Sequence, residues 1–232
     1  RMQRRRDVVL NGQDLTLEQV AEVALKKRPV AVSEAAEAML AASRAVVDAL
    51  ARSDRAIYGL NTGLGALRSF RVAEGDAASF QRKILMSHAV GIAPDYPPHV
   101  SRAIMLARLN GMARGGAGVS PAVFHRLLLF LNRDIVPVIP CRGSVGMADL
   151  APLAHMALPL VGEGEVWFEG ERIPAGAALA RAGLEPIALG PKDGLSLVSA
   201  NSAATGHGAL VLARMRKLLS HADLAAALSI DA

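Results

Sequence analysis

Tyr58, one of two tyrosines in the 232-residue chain, heads the stretch YGLNTGLG at 58–65. Its three glycines, with Asn61 and Thr62 among them, predict a loop with unusual backbone angles that lets the chain approach a ligand closely. A phenol, ordinarily titrating near about pH 10, acts as a general base when positive charge or hydrogen-bond donors favour the phenolate. A tyrosine packed beside a turn fits the same pattern equally well. His88, in ILMSHAVG at 84–91, places an imidazole at the end of a helical pattern. On spacing alone it reads as a core or interface histidine rather than a site residue.

A third stretch, GSVGMADLAPLAHM at 143–156, has a small-residue approach, then an apolar helix start opened by Asp149, with only Met147 and Ala148 between. Ser144 follows Gly143 directly, which is not the spacing of a G-x-S-x-G nucleophile elbow. RGGAG at 114–118 lacks the Lys-Ser/Thr of a phosphate loop. None of the six histidines forms an H-E-x-x-H pair, so no metal is expected. The single Cys141, set among Val and Ile, reads as a small core residue rather than a reactive thiol, and points to a reducing compartment, the cytoplasm.

The elements that must hold these residues are mostly helices. The chain is 52% hydrophobic but only 3% aromatic, with mean hydropathy +0.30, a balance that favours helix-on-helix packing around a sizeable core. The net charge of +5 comes from 26 basic and 21 acidic residues, and Arg1, Arg4, Arg5 and Arg6 supply most of the excess. Residues 1–6 read as a basic disordered tail, with no aromatics interleaved for nucleic acid. The uncharged run 194–213 is too polar, with Ser196, Asn201 and His207, for a lipid-facing span.

Thr16 with Gln19 forms a capping-box pattern, and Ser33 caps a helix with Glu34 and Glu37 in its first turn. Helices are predicted over 77–90, 99–117 and 121–132, the last with Ser120 as cap and Pro121 at its first position. Pro137 and Pro140 make 133–146 extended, and Asp149 caps the next helix. GEVWFEGERIPA, with Glu169-Gly170 at its turn, is the one convincing β signal, a hairpin. After a short helix ending at Gly183, a single long apolar helix is expected from about Leu195 to Ala232.

Taken together, YGLNTGLG, ILMSHAVG, GSVGMADLAPLAHM and PKDGLSL at 191–197 stand in the order and at the separations of the aromatic amino acid ammonia-lyases. The chain most resembles the histidine ammonia-lyase branch. The resemblance implies a mainly α fold with a long central helix bundle and one small β-hairpin, a tetramer whose active sites draw on more than one subunit, and a longer whole of which this is about the N-terminal half. By this reading 7–190 form the active-site-bearing helical domain, and 191–232 the truncated start of the bundle. The C-terminal half is expected on a second chain, because an apolar helix end without a cap cannot bury its face alone.

In the family, the loop matching 143–150 carries Ala-Ser-Gly between Gly-Ser-Val-Gly and Asp-Leu. Those residues cyclise and dehydrate to a methylidene-imidazolone electrophile, which requires an unhindered glycine nitrogen and an eliminable serine hydroxyl. Met147-Ala148 supplies neither and is one residue short, and Ser144 is followed by the branched Val145. The loop from Ser144 through Gly146 to Asp149 therefore reads as a degenerate cofactor loop, and no cofactor is expected. Ser199 stands where the family has an asparagine that supports the electrophile, and Leu64 where phenylalanine is usual.

Tyr58 matches the family's catalytic tyrosine, which takes the substrate's β-proton, and Asn61 and Gly65 match the loop around it. His88, after Ser87, matches the position that favours an imidazole substrate. Asn61, Gly65, His88 and Ser199 are accordingly expected at the substrate, and helix N-termini near Asp149 at its carboxylate. The pattern is similar to the cofactor-free, ergothionase-like branch, in which a quaternary amine leaves without the electrophile. It implies a carbon–nitrogen lyase acting on a histidine-like amino acid or betaine. A non-catalytic scaffold subunit is the second reading, and an ordinary histidine ammonia-lyase the third. The expected partners are a small-molecule substrate, the other half of the fold and a higher oligomer, with no nucleic acid and no membrane.

Overall fold

The computed structural model describes residues 7–53, 55–65, 69–71 and 77–231, so the tail at 1–6 and Ala232 lie outside it. In chain order the elements are β1 (Val8–Leu10), α1 (Leu17–Lys26), β2 (Val30–Val32), α2 (Glu34–Ala51), α3 (Ala77–His88), β3 (Ile92–Asp95), α4 (Pro98–Ala113) and α5 (Pro121–Asn132). There follow β4 (Val136–Pro137), β5 (Pro140–Arg142), α6 (Leu150–Ala157), a 3-10 turn (Leu158–Val161), β6 (Glu165–Phe168), β7 (Glu171–Pro174), α7 (Ala175–Arg181), α8 (Asp193–Val198) and α9 (Ser202–Asp231).

The helix starts follow local chemistry. Thr16 Oγ1 accepts from the Gln19 N–H at 3.2 Å while Gln19 Oε1 accepts from the Thr16 N–H at 2.9 Å, and Ser33 and Ser120 accept from Ala36 and Val123. Such caps satisfy donors that a helix start leaves unpaired. α4 is the core helix: Ala103, Ile104, Met105, Leu106, Leu109 and Met112 have no exposed surface. Burying each larger apolar side chain contributes on the order of 2 kcal/mol, and α1, α2, α5 and α9 all pack on this helix. The buried Arg102 donates to the carbonyls of Val23 and Leu131 and to Asp134, tying the ends of α1 and α5 to α4.

Several expectations are corrected. α3 ends at His88 rather than Val90, and α4 at Ala113, ahead of the glycines of 115–118. The hairpin is present as β6 and β7, but it is not the only β structure. β1 pairs in parallel with β2, β3 antiparallel with β5, and β4 adds to the hairpin. These are short strands paired across long separations, so alternation within each is too brief to read.

The long helix expected from Leu195 is broken into α8 and α9 at 199–201. Asp149 occupies the break: its N–H donates to the Ala200 carbonyl at 2.8 Å and its carboxylate accepts from the Ala204 N–H at 2.8 Å. Backbone groups that would have continued one helix are thus taken by another element. Beyond Leu210, α9 is largely exposed, including Met215, Leu218, Leu219, Leu224 and Leu228.

Candidate active site

The Tyr58 loop is built from its own polar groups. Asn61 accepts from the Ile57 N–H and donates to the Arg55 carbonyl, both at 2.8 Å, so its amide folds the loop. The buried Thr62 hydroxyl lies within reach of the carbonyls of Ile57 and Gly63. Tyr58 itself is 49% exposed, and its phenol oxygen accepts from the Gly65 N–H at 3.1 Å. A backbone N–H aimed at that oxygen is complementary to negative charge placed on it. Gly65 adopts φ 55 to make the contact, a backbone state natural to glycine.

His88 closes α3. Its Nδ1 lies 2.8 Å from the Ile84 carbonyl, which can only accept, so Nδ1 donates to it and Nε2 is left as the free end of the ring. Ser87 Oγ also donates to Ile84, at 3.1 Å. The turn that follows is held from α6, where His155 Nε2 accepts from the Gly91 N–H at 3.1 Å. Burial lowers the pKa of His155, against a smaller raising effect of Asp95, consistent with a neutral ring that accepts. A Cβ on Gly143 would lie 3.1 Å from Gly91 Cα. The turn after His88 therefore rests against the start of the Ser144 loop.

That loop is closed on itself. Ser144 Oγ donates to Asp149 at 2.8 Å and accepts from the Gly146 N–H at 3.1 Å. Val145 and Met147 project outward at 85% and 82% exposure, and Ala148 is held at φ 59. Asp149 stands at the N-cap position of α6 but makes no cap there, a correction to the sequence reading; its buried carboxylate serves Ser144 and the first turn of α9. The Ala204 N–H, at the start of α9, is therefore already occupied. The residues do not fit a methylidene-imidazolone: the Gly146 nitrogen is engaged by Ser144, and neither Met147 nor Ala148 carries a hydroxyl to eliminate.

These pieces share one region. α3, α6 and α8 pack on one another, bringing together the elements that carry His88, Asp149 and Ser199. Ser199, exposed, ends α8 at φ −87 and ψ 78. Asp193, at the start of α8, has no exposed surface. Its carboxylate accepts from the N–H and hydroxyl of Ser120, the Gly190 N–H and Arg44, and burial nevertheless raises its pKa against their lowering effects.

Sequence reasoning missed His155, Asp193 and Gln81, whose buried amide donates to the Gly59 carbonyl and accepts from the Gly194 N–H. The available signal was a polar side chain inside an apolar helical pattern, which by itself does not name a partner. Cys141 is half-buried on β5 rather than a core residue. Among the described residues there is no cluster of three or more His, Cys, Asp or Glu suited to a metal, and no helix is long and apolar enough to cross a membrane.

A mainly helical chain that gathers a tyrosine loop, a histidine turn and a Gly-Ser-Val-Gly loop in one region has the form of an ammonia-lyase scaffold. The family model for the aromatic amino acid lyases matches residues 15–232, and the chain belongs to that family. Histidine ammonia-lyase of Gloeobacter violaceus is 44% identical over 226 residues, covering 97% of this chain and 44% of that protein.

Among solved structures, the ergothioneine-degrading enzyme ergothionase from Treponema denticola, in complex with desmethyl-ergothioneine sulfonic acid, is similar with TM-score 0.89. It is 38% identical, covering 92% of this chain and 43% of that one. Tyrosine aminomutase from Streptomyces globisporus gives TM-score 0.86 at 37% identity, covering 90% and 39%. The chain thus spans less than half the length of these relatives and corresponds to their N-terminal half.

Proposed function

We propose that this chain carries the tyrosine-bearing half of a carbon–nitrogen lyase that eliminates an amine from a histidine-like amino acid or betaine without a methylidene-imidazolone. The observation that carries the reading is the loop 143–149. It keeps the family's approach and its Asp149 anchor, but closes through Ser144 with Met147-Ala148 where the cyclising triplet belongs. Tyr58, its oxygen addressed by the Gly65 N–H, removes the proton from Cβ of the substrate. The C–H electron pair becomes the Cα–Cβ double bond, and the Cα–N bond breaks with its electrons leaving on nitrogen. A trimethylammonium group is permanently cationic and departs as neutral trimethylamine, so it needs no electrophile to activate it.

In this reading His88 offers its Nε2 lone pair to a ring N–H of the substrate, while Asn61, Gly65 and Ser199 shape the surrounding wall. The apolar stripe of α9 is an assembly face, covered in the whole enzyme by the part of the fold that lies beyond the matched half. A non-catalytic subunit is the second reading, favoured by the loss of the cyclising triplet at Met147-Ala148.

The test offers the full-length enzyme ergothioneine and histidine separately and follows the ultraviolet absorbance of the conjugated acid produced. Turnover of the betaine alone supports the proposal. Turnover of histidine returns the protein to the ordinary ammonia-lyases. The absence of Tyr58-dependent activity across a broad amine panel leaves the non-catalytic subunit.

A further inference from the structure

Gln81 lies in the middle of α3 with no exposed surface, a costly place for an amide unless both of its ends are bonded. Both are, and to different elements. Its Nε2 donates to the carbonyl of Gly59, the residue after Tyr58, at 3.2 Å. Its Oε1 accepts from the Gly194 N–H of α8 at 2.8 Å. The three backbones converge closely around it. A Cβ on Gly194 would stand 2.6 Å from the Gln81 carbonyl oxygen, and one on Gly59 would stand 2.4 Å from Leu195 Cδ2.

Tyr58 needs such an anchor because its own loop does not supply one. The polar groups of Asn61, Thr62 and Gly65 are used within the loop, and the tyrosine ring is half exposed. The Gly59 carbonyl is where a buried side chain hydrogen-bonds this loop to α3, whose end carries His88, and through the same amide to α8, whose end carries Ser199.

We propose that Gln81 is the positioning residue of this site, a carboxamide clamp that fixes the Tyr58 loop to α3 and α8. The inference rests on the reading of Tyr58 as the base. Gln81 touches no substrate; it acts by holding the phenol where the β-proton is presented, and misplacement on the order of 1 Å can cost about a hundredfold in rate.

Two substitutions separate the arms of the clamp. Gln81→Glu keeps the size and the acceptor facing Gly194, but turns a carboxylate oxygen toward the Gly59 carbonyl. Gln81→Met removes both bonds at similar volume. In the full-length enzyme, hydrogen–deuterium exchange is followed in peptides spanning 57–65 and 193–198, and steady-state turnover is measured with ergothioneine.

For Gln81→Glu the expected result is exchange about tenfold faster in 57–65 with 193–198 unchanged. The accompanying kcat should fall by about 10- to 100-fold, with KM held within about threefold. In the Tyr58→Phe background the same change should cost nothing further, because the clamp acts only through Tyr58. Gln81→Met should loosen both segments. Unchanged exchange in 57–65 in both variants, or losses that add in the double variant, would overturn the proposal. Failure of the underlying reading looks different: Tyr58→Phe alone then leaves turnover of ergothioneine as it was, while exchange in 57–65 still decides whether Gln81 holds the loop.

Discussion

Ser144 and Asp149 are joined across the shortened loop, the serine hydroxyl donating to one carboxylate oxygen at 2.8 Å while the other accepts from the Ala204 N–H at 2.8 Å. One buried side chain thus closes the loop and pins it to the start of α9. Hydrogen bonds to a charged group are the stronger ones, and a buried donor left unpaired adds to the loss. Asp149→Ala is expected to lower the unfolding free energy by about 3 kcal/mol and Ser144→Ala by about 1 kcal/mol. Urea denaturation of the full-length protein gives both numbers. Equal effects from the two substitutions would mean that the α9 contact contributes nothing.

Ala148 is held at φ 59, where a Cβ costs roughly 1 kcal/mol that glycine avoids. Ala148→Gly is therefore expected to stabilise the protein, despite the greater freedom glycine has in the unfolded chain. A higher midpoint in the same urea titration is the expected result, and a lower one would show that the loop is not strained there.

The helix starts were legible because their signals lie within four residues: Thr16 with Gln19, Ser33 before Glu34, Ser120 before Pro121. The hairpin was legible because its turn and alternation are contiguous. What the sequence did not reveal depends on distant partners. Val30 pairs with Val8 and is bonded on both backbone groups by the Asn132 amide, and nothing near residue 30 announces either. The break between α8 and α9 is imposed by Asp149, some fifty positions earlier, on a stretch whose own pattern is continuous. Tyr58, His88 and the Ser144 loop stood out by composition; Gln81 and His155, which connect to them, look like ordinary polar positions on helices.

His155 makes stability depend on pH with a definite sign. Burial lowers its pKa from 6.5, so the unfolded chain takes up a proton that the folded chain resists. Its contribution is fully present above the unfolded pKa and is lost as pH falls through 6.5 toward the folded value. His99, lowered by burial and by Arg214 and His207, acts in the same direction. His155→Gln retains an acceptor for the Gly91 N–H but cannot titrate. Between about pH 7 and about pH 5 its stability is expected to fall less steeply than that of the wild type, as read by denaturation at each pH. Parallel slopes would assign the whole effect elsewhere.

Tyr58→Phe removes only a hydroxyl, from a half-exposed side chain, and should leave folding intact while lowering kcat by about 10²–10⁴. His88→Ala should instead raise KM for imidazole-bearing substrates, since it removes a ring that is already oriented through Ile84. Steady-state kinetics with ergothioneine on the full-length enzyme separates the two patterns. A Tyr58→Phe effect confined to KM would contradict its role as a base.

The central claim, amine elimination without a methylidene-imidazolone, is tested most directly by the mass of the peptide containing residues 143–150 from a preparation that is turning substrate over. The expected result is the unmodified sequence mass, with Ser144, Met147 and Ala148 intact, in fully active enzyme. A loss of two waters confined to that peptide in the active fraction would contradict it.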